Sequence, residues 1–224
     1  MKKSLVMLMT ACSIIFASCE KSDLTTNTAV TDTEQPSNNR SENSARENFS
    51  LDSDKSVVEW WGSGPDAAHH GSFSVSAQNI EIVNGKVKQG RFIIPIASIQ
   101  NFDLPDNIKP VLLDHLKSAD FFNMALYPEA SFDFRKVTPI TKAVAGAVEG
   151  ANYMVSGDFT MLGKAIAISF PARIVVNGEQ LAVEAKLKID RTQWGMNYAA
   201  DPNLGAHHIY PNVDLHLKLI GQKQ

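Results

Sequence analysis

The chain has 224 residues, 44% of them hydrophobic, and a net charge of −3. That is enough apolar material for one good-sized domain with its own core. With no basic block in the sequence, the composition excludes the electrostatic footprint of a nucleic-acid-binding protein.

Lys2 and Lys3 precede an apolar run from Leu5 to Ala17, which closes on Phe16-Ala17-Ser18-Cys19. A charged start, an apolar segment of this length and small residues before a cut describe a secretory signal, too short to span a bilayer stably. Cys19 directly after Ala17-Ser18 resembles a bacterial lipobox, where the cysteine is lipidated and becomes the first mature residue. Phe16 stands where an aliphatic residue is more usual. The alternative is a plain signal cut elsewhere, leaving a free thiol. Loss of residues 1–18 removes Cys12, so the exported chain has no internal disulfide and relies on its core. From Glu20 to Ser50 the sequence is polar and has too few apolar residues to offset the entropy of ordering. The expected organisation is therefore a lipoprotein signal peptide at 1–18, a lipidated cysteine and flexible polar tether at 19–50, and one folded domain at 51–224. The expected location is the cell envelope, as a periplasmic or outer-membrane lipoprotein.

The domain begins with a short strand from Val57 to Trp61, in which neighbours face opposite sides, so Trp60 and Trp61 cannot both point inward. A second strand runs from His69 to Val75. Asn84-Gly85 between Ile80-Glu81-Ile82 and Val87 to Ile99 is a strong hairpin signal. Pro95 cannot donate to a ladder and predicts an edge or bulge there.

A helical patch interrupts the strands between Asp114 and Phe134. Ile108, Leu112 and Leu116 fall on one helical stripe, and Pro110 fits its first turn. Ser118 can cap a further short turn containing Asp120, and Pro128 ends it. Strands resume at Ser131 to Val137, Asn152 to Met161 and Ala165 to Val176. Asn177-Gly178 turns the chain into Leu181 to Ile189, and His208 to Leu219 closes the domain.

The last two strands alternate strictly. Leu181, Val183, Ala185, Leu187 and Ile189 share one face, as do Val213, Leu215, Leu217 and Leu219. One dry face and one wet face fit an antiparallel barrel in water, and the placement is opposite to that of an outer-membrane barrel. About eight strands in sequential hairpins predict an all-β, up-and-down antiparallel barrel with a short helical insertion, whose interior either fills or holds one ligand.

Trp60 with Gly62, His70-Gly71, HLKSADFF from His115 to Phe122, Tyr127-Pro128 with Phe132, Gly157-Asp158-Phe159-Thr160 with Gly163, and Ile189-Asp190-Arg191-Thr192 with Trp194-Gly195 stand in an order and spacing that resemble the YceI-like family over most of residues 56–220. The resemblance implies a lipocalin-like barrel in the cell envelope that binds polyisoprenoid or similar lipids, with no shared catalytic motif. Pro95 and Ala97 depart from the family pattern, where an acidic residue and a methionine are common.

Parity places Phe73, Phe92, Ile94, Ile168, Phe170 and Leu187 inward, and Arg191 at the end of its strand as a cationic fork for a lipid head group. The alternative role for Arg191 is to close the barrel end on carbonyls or a carboxylate. With Trp60, Phe122, Phe132, Trp194 and Tyr198 these are the candidate lipid-binding residues, and Cys19 is the lipidation site. Between the neighbouring phenylalanines, Phe122 is expected to face the cavity and Phe121 the wall. The expected partners are a long-chain lipid, a membrane through Cys19 and, as an open option, a second copy of the chain; no other cofactor is expected. Two other readings stay open. His69-His70 and His207-His208 could serve a metal site or a general base, and the barrel could be a structural protein with a filled core.

Overall fold

The computed structural model describes residues 46–224 other than Gly85. The expected signal peptide, Cys19 and nearly all of the expected tether lie outside the described residues. Eleven strands, β1 (Arg46–Leu51), β2 (Val57–Ser63), β3 (Ala68–Ser74), β4 (Ser76–Val83), β5 (Lys86–Pro95), β6 (Gln100–Asn101), β7 (Glu129–Pro139), β8 (Tyr153–Met161), β9 (Lys164–Asn177), β10 (Gln180–Asp190) and β11 (Asn212–Lys223), form one sheet. Helix α1 (Lys109–Lys117) lies between β6 and β7.

Several of these strands are halves of longer ones. β11 pairs first with β2, from Asp214 against Trp61 to Lys218 against Val57, and then with β1, from Gly221 against Leu51 to Lys223 against Phe49. β1 and β2 thus act as one strand, and β3 with β4 as the next, since β3 pairs with β2 and β4 with β1. Every pairing is antiparallel, and the result is a closed eight-strand barrel. Where the ladder breaks between β1 and β2, Ser56 repairs it: its Oγ accepts from the Ile220 amide at 3.0 Å and donates to the Ile220 carbonyl at 3.1 Å. A buried strand edge would otherwise leave those backbone groups unpaired.

The first strand begins earlier than the expected start at Leu51. Phe49 is fully buried and pairs with Ile80 on one side and Lys223 on the other. Burying a phenylalanine is worth about 1.5–3 kcal/mol, which helps offset the cost of ordering Arg46 to Ser50. A lone phenylalanine in a polar run carries no periodicity, so its strand was not legible.

Alternating strand direction sorts the connections between two ends. The tight turns at Asn84, with φ 51°, and Gly178, with φ 60°, lie at one end with the 140–152 loop. Such turns need a left-handed residue, which Asn and Gly supply cheaply. The other end carries the two long connections, 96–128 with α1 and 191–211, and we call it the open end. Pro95 ends β5 there, followed by a single 3₁₀ turn over Ile96–Ser98, in keeping with a proline that cannot extend a ladder. At the same end Gly163 takes φ +72°, and a Cβ on it would come within 2.8 Å of the Tyr127 ring. The final strand starts at Asn212, not at His208: residues 207–211 belong to the open-end connection.

Packing differs between the two halves. Near the closed end, Phe49, Ile80, Ile82, Ala172, Leu181 and Ala185 are at most 1% exposed, a solid core. The outer face is wet, with His216 bridging Glu59 at 3.3 Å and Glu184 at 3.0 Å.

Candidate functional site

The open half of the barrel is hollow, and the change is abrupt along each strand. Leu217 lines a cavity, while Leu219 on the same face of β11 is packed at 3% exposure. Leu187 and Phe170 line it too, while Ala185 and Ala172, the next inward residues toward the closed end, are fully buried. The cavity measures about 370 Å³. An engineered apolar cavity of ~150 Å³ already takes up benzene, so this space suits a sizeable apolar ligand.

Most of the sequence-derived candidates meet at this wall: Trp60, Phe73, Ile94, Phe122, Phe132, Ile168, Phe170, Leu187 and Arg191 all line it. Trp60 is 7% exposed, while Trp61 faces out and stacks on His70 with ring centres 6.4 Å apart. From α1 come Leu112 and Leu116, the stripe expected from the sequence, whereas Ile108 is an exposed cap residue. The turn after α1 is held by the Asp120 amide donating to Ser118 Oγ at 3.3 Å. It presents both phenylalanines to the cavity. Phe122 packs edge-on to Phe73 at 5.5 Å, and Phe121 also lines the wall, although the sequence reading gave only Phe122 that role.

Three candidates lie elsewhere. Phe92 points inward as parity requires, but sits one rung toward the closed end, where it packs on Phe134 at 5.1 Å beneath the cavity. Parity gives the face of a residue and not its depth. Trp194 is buried behind the wall, its Nε1 donating to the Phe159 carbonyl at 3.0 Å and its ring edge-on to Phe159. Tyr198 is 43% exposed and covers the outside of the open end, against His115 at 4.8 Å and Phe121 at 5.3 Å.

Arg191 reaches the cavity wall, but its fork is spent on backbone. It donates to the carbonyls of Met196 at 2.6 Å, Ile209 at 2.8 Å, Tyr198 at 2.9 Å and Tyr210 at 3.3 Å. Burial, at 2% exposure, lowers its pKa below the ordinary value, with Asp190 opposing. An arginine stays charged under such a shift. Two of those carbonyls, from Ile209 and Tyr210, lie in 207–211, where the chain bends around the guanidinium and does not extend β11.

The two histidine pairs make separate contacts. His69 Nδ1 bonds Asp103 at 2.7 Å, and the His70 amide donates to the same carboxylate at 2.8 Å. His208 packs edge-on to Tyr210. Among the described residues, no three His, Cys, Asp or Glu side chains converge as a metal site would need. Burial pushes the Asp103 carboxyl up, but hydrogen bonds from His69, the His70 amide and Asn101 outweigh it and hold the pKa at about 2.

Loop residues of the wall, among them Met196, Ala206 and Ile209, were missed by the sequence reading because a loop has no period to read. Val213 and Leu215 could have been added, since they share the Leu217 face. Around the cavity, Phe102, Val111, Leu126 and Leu204 project from the open-end connections with 44–70% exposure.

A family model described as a YceI-like domain matches residues 49–220. Among solved structures, BcnA from Burkholderia cenocepacia is similar with a TM-score of 0.59 at 24% identity, over 76% of this chain and 98% of that one. A polyisoprenoid binding domain from Saccharophagus degradans, implicated in plant cell wall breakdown, is similar with a TM-score of 0.57 at 17% identity, over 79% of this chain and 98% of that one. Likeness at these identities speaks to the fold. No curated protein matches the chain.

Proposed function

The chain belongs to the YceI-like family, and from that premise we propose that it is an exported, lipid-anchored barrel holding a polyisoprenoid or similar long-chain lipid for storage or transport in the cell envelope. The observation that carries this reading is the half-hollow barrel: a cavity of about 370 Å³ walled almost wholly by apolar side chains. Such a space binds hydrocarbon by burial alone, at roughly 0.8 kcal/mol per CH₂, and needs no special chemistry. The structurally similar Saccharophagus degradans domain, described as polyisoprenoid binding, supports the choice of ligand class. The signal-like N-terminus ending in Cys19 supports export and anchoring. A binding protein with no catalytic role fits a wall that offers hydrocarbon and few polar groups.

Native mass spectrometry of the purified protein, followed by organic extraction, tests the reading. The expected result is a co-purifying lipid with a long apolar chain, or uptake of added prenyl lipid at one per barrel. A clean unliganded mass with no uptake would leave the barrel as a structural protein.

A further inference from the structure

Resting on the reading of the cavity as a lipid site, we propose that the ligand enters tail-first and carries an oxygen-bearing head group that accepts a hydrogen bond from Trp60 Nε1 and pairs with His208 Nε2. Both nitrogens are buried, both belong to side chains of the cavity wall, and neither has a hydrogen-bond partner among the described residues. Native interiors leave very few such groups unpaired, so two in one cavity point to a ligand that completes them. Trp60 is 7% exposed, and its indole N–H can only donate, so whatever answers it must be an acceptor. The imidazole of His208 can meet the same group as donor or acceptor, according to tautomer.

The polarity of the wall sets the direction. Ser63, His69, His115, Arg191 and His207 line the cavity only at the open end, while toward the closed end it meets Phe132, Phe170 and Leu217. A hydrocarbon tail belongs at the floor and a polar head near the rim. Among the described residues no Asp, Glu or Lys lines the cavity, and the one fixed charge in its wall, Arg191, is answered by four carbonyls and by neighbouring Asp190. An ammonium head offers no acceptor to the Trp60 N–H, whereas an oxygen head such as a hydroxyl, carbonyl or acid does. Neither nitrogen is open to water in the unliganded barrel, so the head group reaches both only as the side chains covering them part.

The test uses the purified full chain with farnesol, farnesene and farnesylamine, which share a tail and differ at the head. Farnesol should bind about tenfold more tightly than farnesene, the worth of one or two buried hydrogen bonds, and farnesylamine more weakly than farnesol. Trp60→Phe and His208→Leu should each bring farnesol close to farnesene, read as the ratio of the two affinities within the same variant. On the unmutated protein, ¹⁵N spectra should show the Trp60 indole resonance moving with farnesol and not with farnesene, a readout that needs no variant to fold. Equal binding of all three probes, or farnesol selectivity that survives both substitutions, would overturn the head-group site and leave the lipid cavity standing. Failure of every probe to bind would overturn the cavity reading itself.

Discussion

The guanidinium carbon of Arg191 lies 5.8 Å from the centre of the Phe121 ring. The contact joins the two long connections of the open end, one carrying Phe121 and the other closed around Arg191 by four carbonyls. Arg191→Leu would strand those carbonyls, and the expected loss of stability is about 3 kcal/mol. Arg191→Lys should recover only part of it, because an ammonium cannot reach carbonyls spread around a planar fork. Chemical denaturation gives the size of the loss. Hydrogen exchange should place it first at residues 196–210, and a lysine variant as stable as the parent would show that the clasp is unimportant.

The solid and hollow halves make opposite predictions for the same kind of change. Ile168→Trp enlarges a side chain that faces the cavity and should fill space at little cost, within about 1 kcal/mol of the parent, while abolishing lipid uptake. Ala185→Trp enlarges a fully buried residue in the solid half and should cost about 3 kcal/mol or more. Thermal denaturation of the pair, with lipid content by mass spectrometry, checks both. Equal damage from the two would mean that the open half is as tightly packed as the closed one.

Phe122 lines the cavity from the turn after α1 and packs edge-on against Phe73 at 5.5 Å. Phe122→Ala should therefore speed release of a bound prenyl lipid by roughly tenfold, since part of the cover over the tail is lost. Its effect on stability should be smaller than for a residue with no empty space beside it. Release can be followed by transfer of a fluorescent lipid to vesicles. Unfolding with unchanged release would make this segment plain core.

The strand count and the meander were legible because Leu181 to Ile189 and Val213 to Leu219 alternate cleanly and Asn177-Gly178 marks its turn. The inward face was legible for the same reason, which is how Ile168, Phe170 and Leu187 could be named from parity. Depth was not: nothing in the sequence distinguishes Phe92, on the solid side, from Ile94, on the hollow side, because a void is made by several strands at once. For Arg191 the sequence left two roles open, a head-group contact or closure of the barrel end, and the structure shows the closure, on four carbonyls of the 191–211 connection. The shape of that connection depends on where those carbonyls point, and carbonyl direction leaves no trace in residue type. Trp194 illustrates the same limit, since its indole N–H is answered by the backbone of Phe159, far away in sequence.

Asp103 ties the rim together, accepting from His69, from the His70 amide and from Asn101 Nδ2 at 2.7 Å. Beside it, where β3 pairs with β6, Gly71 packs so closely on the Gln100 carbonyl that a Cβ there would collide with it. The Asp103 carboxyl titrates at about 2, below its ordinary 3.8. A carboxylate with a depressed pKa contributes stability above the unfolded value, and that contribution is lost as pH falls through the folded one. Asp103→Asn should thus cost about 1 kcal/mol at neutral pH, a figure discounted for the partial exposure of the side chain. The gap between parent and variant should narrow as pH drops from about 4 to about 2. Urea midpoints measured across that range decide the matter: a constant gap would mean that the loss at Asp103→Asn comes from altered hydrogen-bond geometry and not from the charge.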